Sequence, residues 1–192
     1  MLSPSMHTTS ILQLCPTAAL SAYGLYLAYQ NITRLQQYEQ KSEKAAEWSN
    51  TAAQKLHKTR TTQATGTLAL ISSLTCSMLV LVPSFSSTRV LIGAGVGNSV
   101  AAYLAYVHMA GYWNEQTQTR IPFVQGFNEA IRGSEQVVVL LKTLSLAWSV
   151  ASAVWVGMAN GASGLLGLAV WGLVVGGRVM VVAPQMGWKT RA

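Results

Sequence analysis

Residues 137–183 read "VVVLLKTLSLAWSVASAVWVGMANGASGLLGLAVWGLVVGGRVMVVA", an apolar run interrupted by "NGA" at 160–162. A helix crosses a bilayer core in about 20 residues, so the run is too long for one crossing and suits two. Asn-Gly is a turn signal, which makes the stretch a tight helical hairpin. One span covers about 137–159 and the next about 162–183.

Outward from this hairpin, three more apolar segments lie upstream. The first is 9–29, "TSILQLCPTAALSAYGLYLAY", in which Pro16 is expected to kink the helix without ending it. The second is 66–82, "GTLALISSLTCSMLVLV", stopped by Pro83. The third, 90–113, opens on "VLIGAGVGN" and closes on "GYW", aromatics of the kind that seek a membrane interface. Composition agrees with five crossings. Hydrophobic residues make up 51% of the 192 residues and charged residues 10%, against about a quarter charged in soluble domains. The fold expected is a single all-α integral membrane domain of five transmembrane helices.

Charge sets the orientation. Short cytoplasmic loops are enriched in Lys and Arg. With five spans, Arg34, Lys41, Lys44, Lys55, Lys58, Arg60, Arg120, Arg132, Lys189 and Arg191 all fall on one side, and Arg89 falls on the other. Lys142 and Arg178 lie near span ends on the basic side, where their stems can snorkel to the interface. This gives an N-terminus outside or lumenal and a C-terminus in the cytosol. The sequon "NIT" at Asn31 then faces the cytosol and stays unglycosylated. The first 33 residues hold no Lys or Arg, so neither a signal peptide nor a mitochondrial presequence is expected. An endomembrane or plasma-membrane address is favoured over the mitochondrial inner membrane. "WKTRA" only partly resembles a dilysine retrieval signal, because Thr190 replaces one lysine.

Two polar stretches connect the spans. Residues 31–65 are helix-compatible as far as "WSNTAA", where Thr51 and Gln54 fit a capping box. They are expected to form a cytosolic helical hairpin that extends spans one and two. A weak seam runs through Leu35, Tyr38, Ser42, Ala45, Ser49, Ala52 and Leu56, and Glu39, Glu43 and Glu47 share one stripe. Residues 114–136 form a cytosolic connector, in which Pro122 and Gly126 exclude a regular helix from "IPFVQGF" and favour an interfacial segment. In "NEAIRGSE", Glu129, Arg132 and Glu135 are spaced to pair along one helix face.

Chemistry-bearing residues are few. No aspartate occurs, which removes Ser-His-Asp catalysis and Asp-rich magnesium sites. His7, His57 and His108 fall in no metal-binding spacing, and no metal or cofactor is expected. Cys15 and Cys76 are read as free thiols. The basic residues accompany no nucleic-acid motif. The candidates for a catalytic site are His108, Glu129, Glu135 and Lys142, gathered at the basic-side mouth of the bundle. Asn98 and His108 are the polar residues counted at membrane depth, on roughly a common side of span three. Trp148, Trp155 and Trp171, with the Tyr23, Tyr26 and Tyr29 stripe, are read as packing in preference to a ligand cage.

Glycine spacing points to association. Gly93 and Gly97 form GxxxG in span three, and Gly172 and Gly176 repeat it in span five beside Gly164 and Gly167. Such faces let helices approach closely. The expected function is therefore that of an accessory or organising subunit acting through helix–helix contacts. Its partners would be membrane lipid and another membrane protein or a second copy. The alternative is a compact membrane enzyme acting on a lipophilic substrate, such as an auxiliary oxygenase. In size and hydrophobicity the chain looks like small multi-span families such as the anthrone oxygenases, a likeness carried by no motif residue. A transporter or channel ranks third, because no carboxylate lies inside a span and no discontinuous repeat is present.

Overall fold

The computed structural model describes residues 3–82, 87–113 and 125–186. Side chains at 38–42, 44–46, 48, 52 and 125–127 fall outside that description. Among the described residues all regular structure is helical, and five helices are long and apolar enough to cross a membrane. They are α1 (Pro4–Trp48), α2 (Asn50–Leu81), α3 (Thr88–Ala110), α4 (Gln125–Ala159) and α5 (Gly164–Val182).

Local chemistry explains the boundaries. Ser3 caps α1 by accepting the Met6 N–H, with Pro4 in the first turn, where a missing N–H costs nothing. Pro16 is carried inside the helix. Ser49, in extended conformation, is all that separates α1 from α2. Ala53 N–H already donates to Ser49 O at 3.0 Å. Helix α2 therefore begins ahead of Thr51, and the capping box expected there does not mark its start. The 160–162 turn closes as its sequence suggests: Gly161 has φ +92°, Ala162 N–H reaches back to Gly157 O, and Asn160 Nδ2 donates to Val156 O. Helix α4 starts at Gln125 and includes Gly126, so the irregular stretch expected through Gly126 is shorter than anticipated. The rest of the expected interfacial segment, together with Pro83 and the C-terminal "WKTRA", lies outside the described residues. Within α5, residues Gly172–Gly176 form a π-helical turn.

The helices alternate in direction, up and down. Antiparallel pairing of α1 with α2 is fixed by Ser21 against Ser73, and of α3 with α4 by the mutual bonds of Ser99 and Ser145, each hydroxyl donating to the other's carbonyl. Helix α4 is the central post, with 61% of its apolar window buried; α5 is the outermost at 17% and α3 stands at 28%. Two apolar clusters stack along the bundle. One gathers Leu27, Leu70, Met109, Ile131 and Leu141 at the basic end, and the other gathers Leu14, Val80, Leu91, Trp148, Trp155 and Trp171 at the opposite end.

Between the clusters lies a polar contact that ties α1, α2 and α4 together. Trp148 Nε1 donates to Ser73 Oγ at 2.8 Å, and Ser73 Oγ stands 2.8 Å from Ser21 Oγ. Other buried hydroxyls turn back onto their own helix: Ser10 on Met6 O, Thr17 on Gln13 O, Ser77 on Ser73 O and Ser152 on Trp148 O. That back-bonding lets Ser and Thr sit in apolar surroundings without an unmet donor.

The basic end has its own bracing. Arg34 of α1 pairs with Glu129 of α4 at 3.3 Å, Glu43 pairs with Arg60, and Gln63 Nε2 donates to Ser134 Oγ. Tyr112 and Trp113, stacked edge-to-face, close α3 against the extension of α2. Trp113 Nε1 donates to Thr62 Oγ1 at 2.9 Å, and Tyr112 OH donates to Lys55 O. Trp113 is thus buried, at 3% exposure, and does not serve as the interface-facing aromatic expected. These contacts hold the arms of the 31–65 hairpin; of the expected seam, Tyr38, Ser42, Ala45 and Ala52 have side chains outside the described residues.

Candidate functional site

Helix direction decides which chemistry-bearing side chains meet. Arg34, Lys55, Lys58, Arg60 and Arg132 come together at one end of the bundle through the contacts above, while Arg89 lies at the other end, next to Thr88, whose hydroxyl donates to Met6 Sδ. Among the described residues, the segregation read from loop order is thus also a property of the folded bundle; Arg120, Lys189 and Arg191 lie outside them.

The four candidate catalytic residues are placed at this basic end without being focused on one point. His108 is exposed in the last turn of α3. Lys142 is exposed on α4, its ammonium 5.4 Å from the centre of the Tyr106 ring, close enough for a cation–π attraction. His108 follows Tyr106 by two positions, about 200° around the helix, so the imidazole points away from the side that Lys142 occupies. Glu129 is engaged with Arg34. It stands thirteen residues before Lys142, roughly 20 Å along α4. Glu135 is half-buried and shares the Lys142 face about two turns away. No group of three or more His, Cys, Asp or Glu side chains converges among the described residues.

Asn98 and His108 do not share a side. Ten residues leave them about 80° apart, enough to bury Asn98 against α2, where it accepts from Ser72 Oγ at 3.0 Å, and to leave His108 outside. Gln13 is the polar residue that sequence reasoning passed over. It is fully buried in α1, and neither Oε1 nor Nε2 has a hydrogen-bond partner. The signal was its place in "SILQLCP", the one amide in that apolar segment. Trp155 Nε1 in the same half of the bundle is also unpartnered, whereas Trp148 and Trp171 donate to Ser73 Oγ and Ala147 O. Cys15 and Cys76 are free.

The glycines divide into two sets. At Gly24, Gly66, Gly95, Gly133, Gly164 and Gly167 an added Cβ would run into a side chain of a neighbouring helix or the facing turn of the hairpin. At Gly93, Gly97, Gly172 and Gly176 it would meet nothing within 4 Å. The GxxxG pairs therefore do not close contacts within this chain. Gly93 and Gly97 form a notch on the outer face of α3 beside exposed Val96 and Val100. Gly172 and Gly176 line a groove of about 420 Å³ between α1 and α5, with Pro16, Leu20, Tyr23 and Trp171 among its walls. None of the four candidate catalytic residues lines it. Of the aromatic residues considered for a ligand cage, Tyr23 and Trp171 flank this groove, Trp148 and Trp155 are buried in the core, and Tyr26 and Tyr29 point outward.

Compared with known proteins, the chain matches no family model, no curated protein and no solved structure.

Proposed function

We propose that the chain is a multi-pass membrane protein and that it works as an accessory or organising subunit, joining another transmembrane helix through the outer face of α3. Its five apolar helices cross an endomembrane or the plasma membrane, with the N-terminus outside or lumenal and the C-terminus cytosolic. The observation that carries the association reading is the open notch at Gly93 and Gly97, flanked by exposed Val96 and Val100. Without a hydrophobic drive between helices in lipid, close backbone approach at small residues is what favours one helix on another. The orientation is supported by the basic residues gathered at one end of the bundle.

The divergence of His108, Glu129 and Lys142 speaks against the enzyme alternative, since acid–base work needs groups within hydrogen-bond reach of one substrate. Substituting His108, Lys142 and Glu135 by alanine, one at a time, is expected to leave the cellular phenotype, level and location unchanged. Loss of the phenotype at normal level and location in any of these variants would return the enzyme reading to first place. Sidedness has its own test. In a Cys15→Ser, Cys76→Ser background, Lys58→Cys should react with an impermeant maleimide only once the plasma membrane is permeabilised, and Ser3→Cys should react from outside intact cells at the plasma membrane or stay protected inside a sealed organelle. The reverse pattern would overturn the orientation.

A further inference from the structure

The groove between α1 and α5 coincides with two departures from regular helix: Pro16, which supplies no N–H, and the π-helical turn Gly172–Gly176. Such π turns recur at functional sites because they re-aim the backbone without ending the helix. Here the turn presents two glycines to a cavity whose walls are apolar and whose volume is in the range of small-molecule sites. The groove runs along the bundle axis from Pro16 and Trp171 toward Tyr23 and Val179.

Arg178 precedes Val179, the wall residue at the basic end of that groove, and is not itself among the residues that line it. It is half-buried, its Nε is buried without a hydrogen-bond partner, and among the described residues it has no ion pair. A guanidinium cannot shed its charge, and the buried Nε–H is the donor left for an anion to meet. Lys142 supplies an internal comparison. The bonds Trp171 Nε1 to Ala147 O and Gln136 Nε2 to Gln185 O bring it to the same depth as Arg178, yet Lys142 is exposed and satisfied over Tyr106.

We propose that this groove binds one anionic phospholipid, its acyl chain lying along Pro16, Leu20 and the glycine turn and its phosphate taken by Arg178. Arginine suits that role because its planar fork meets phosphate oxygens in pairs. The inference rests on the proposal that α5 crosses the bilayer. A partner helix would fill the groove too, but it would have to bring a carboxylate to this depth, whereas a phospholipid in the basic-side leaflet carries its anion next to its chain.

The test is native mass spectrometry of the purified full chain, stripped in detergent and then titrated with phosphatidylglycerol or phosphatidylcholine. The wild type is expected to bind one phosphatidylglycerol at least tenfold more tightly than phosphatidylcholine. Arg178→Gln should abolish that preference. Gly176→Leu, whose Cβ meets nothing within 4 Å and whose longer side chain occupies the groove, should weaken both lipids. Lys142→Gln and Gly97→Leu should bind as the wild type does, and unchanged melting temperatures would exclude misfolding. Equal affinity for the two lipids, equal losses in Lys142→Gln and Arg178→Gln, or a co-purifying protein released by Arg178→Gln would each overturn the proposal. Extraction of the native protein from membranes by alkaline carbonate would instead overturn the membrane-spanning reading on which it rests.

Discussion

Gly93 and Gly95 are two positions apart and have opposite surroundings. A Cβ on Gly95 would collide with Ser152 Oγ and press on Trp155, while one on Gly93 would stand in open space. Overpacking a filled helix contact costs about 1–3 kcal/mol, so Gly95→Ala should lower the melting temperature in detergent and Gly93→Ala should leave it unchanged; equal effects would refute the assigned facing of α3. A second residue-scale prediction concerns Ser73, which receives Trp148 Nε1 and contacts Ser21 Oγ. Ser73→Ala should destabilise by roughly 0.6–2 kcal/mol, the range of interhelical hydrogen bonds among apolar helices, and a double-mutant cycle with Trp148→Phe should show coupling. Additive losses would mean the bond carries nothing. Asn31, in the sequon, is 1% exposed, and its amide stands where a Gly133 Cβ would be. A glycan on Asn31 would therefore be incompatible with the packing of α1 on α4.

At the scale of elements, the extensions of α1 and α2 are tied down by specific contacts. Beyond Gln37, α1 continues to Trp48 for about 16 Å, and α2 runs beside it with Glu43 on Arg60. An exposed pair of this kind is worth little, so the bracing falls to Trp113 on Thr62 and Tyr112 on Lys55 O. Trp113→Phe removes one buried bond of about 1 kcal/mol and should speed amide exchange in residues 53–62 roughly fivefold. Unchanged exchange would show that the hairpin holds itself. Element existence was legible in the sequence because five apolar runs, each long enough for a crossing and divided by turn signals, suit helices that satisfy their own backbone within one segment. The direction in which an aromatic faces was not legible. Trp113 sits at the end of an apolar run, as an interface residue would, and only the return of α2 past that end gives it a buried acceptor. The capping box at Thr51 misled for a related reason, since the chain reverses over Ser49 alone.

For the whole molecule, the division of glycines separates inside from outside. Glycine spacing in the sequence identified small-residue faces but gave equal weight to all of them; folding consumes Gly95, Gly133 and Gly167 in closing the bundle and leaves Gly93 and Gly97 open. The candidate catalytic residues show the converse. Their common position at the basic end was legible from helix order, and their divergence was not, because the angle between Tyr106 and His108 acquires meaning only once α4 is known to pack on the Tyr106 side. On the proposed reading, the buried central helix, the polar tie at Ser73 and the uncovered glycine face on a peripheral helix are those of a subunit completed by association.

The measurement that tests this most directly is the mass of the assembly purified in a mild detergent, compared between the wild type and a Gly93→Leu, Gly97→Leu double variant. The account predicts that the wild type carries a stoichiometric membrane partner or a second copy. It predicts that the double variant purifies alone with an unchanged melting temperature. A wild type that purifies alone, or a double variant whose assembly is intact, would contradict it.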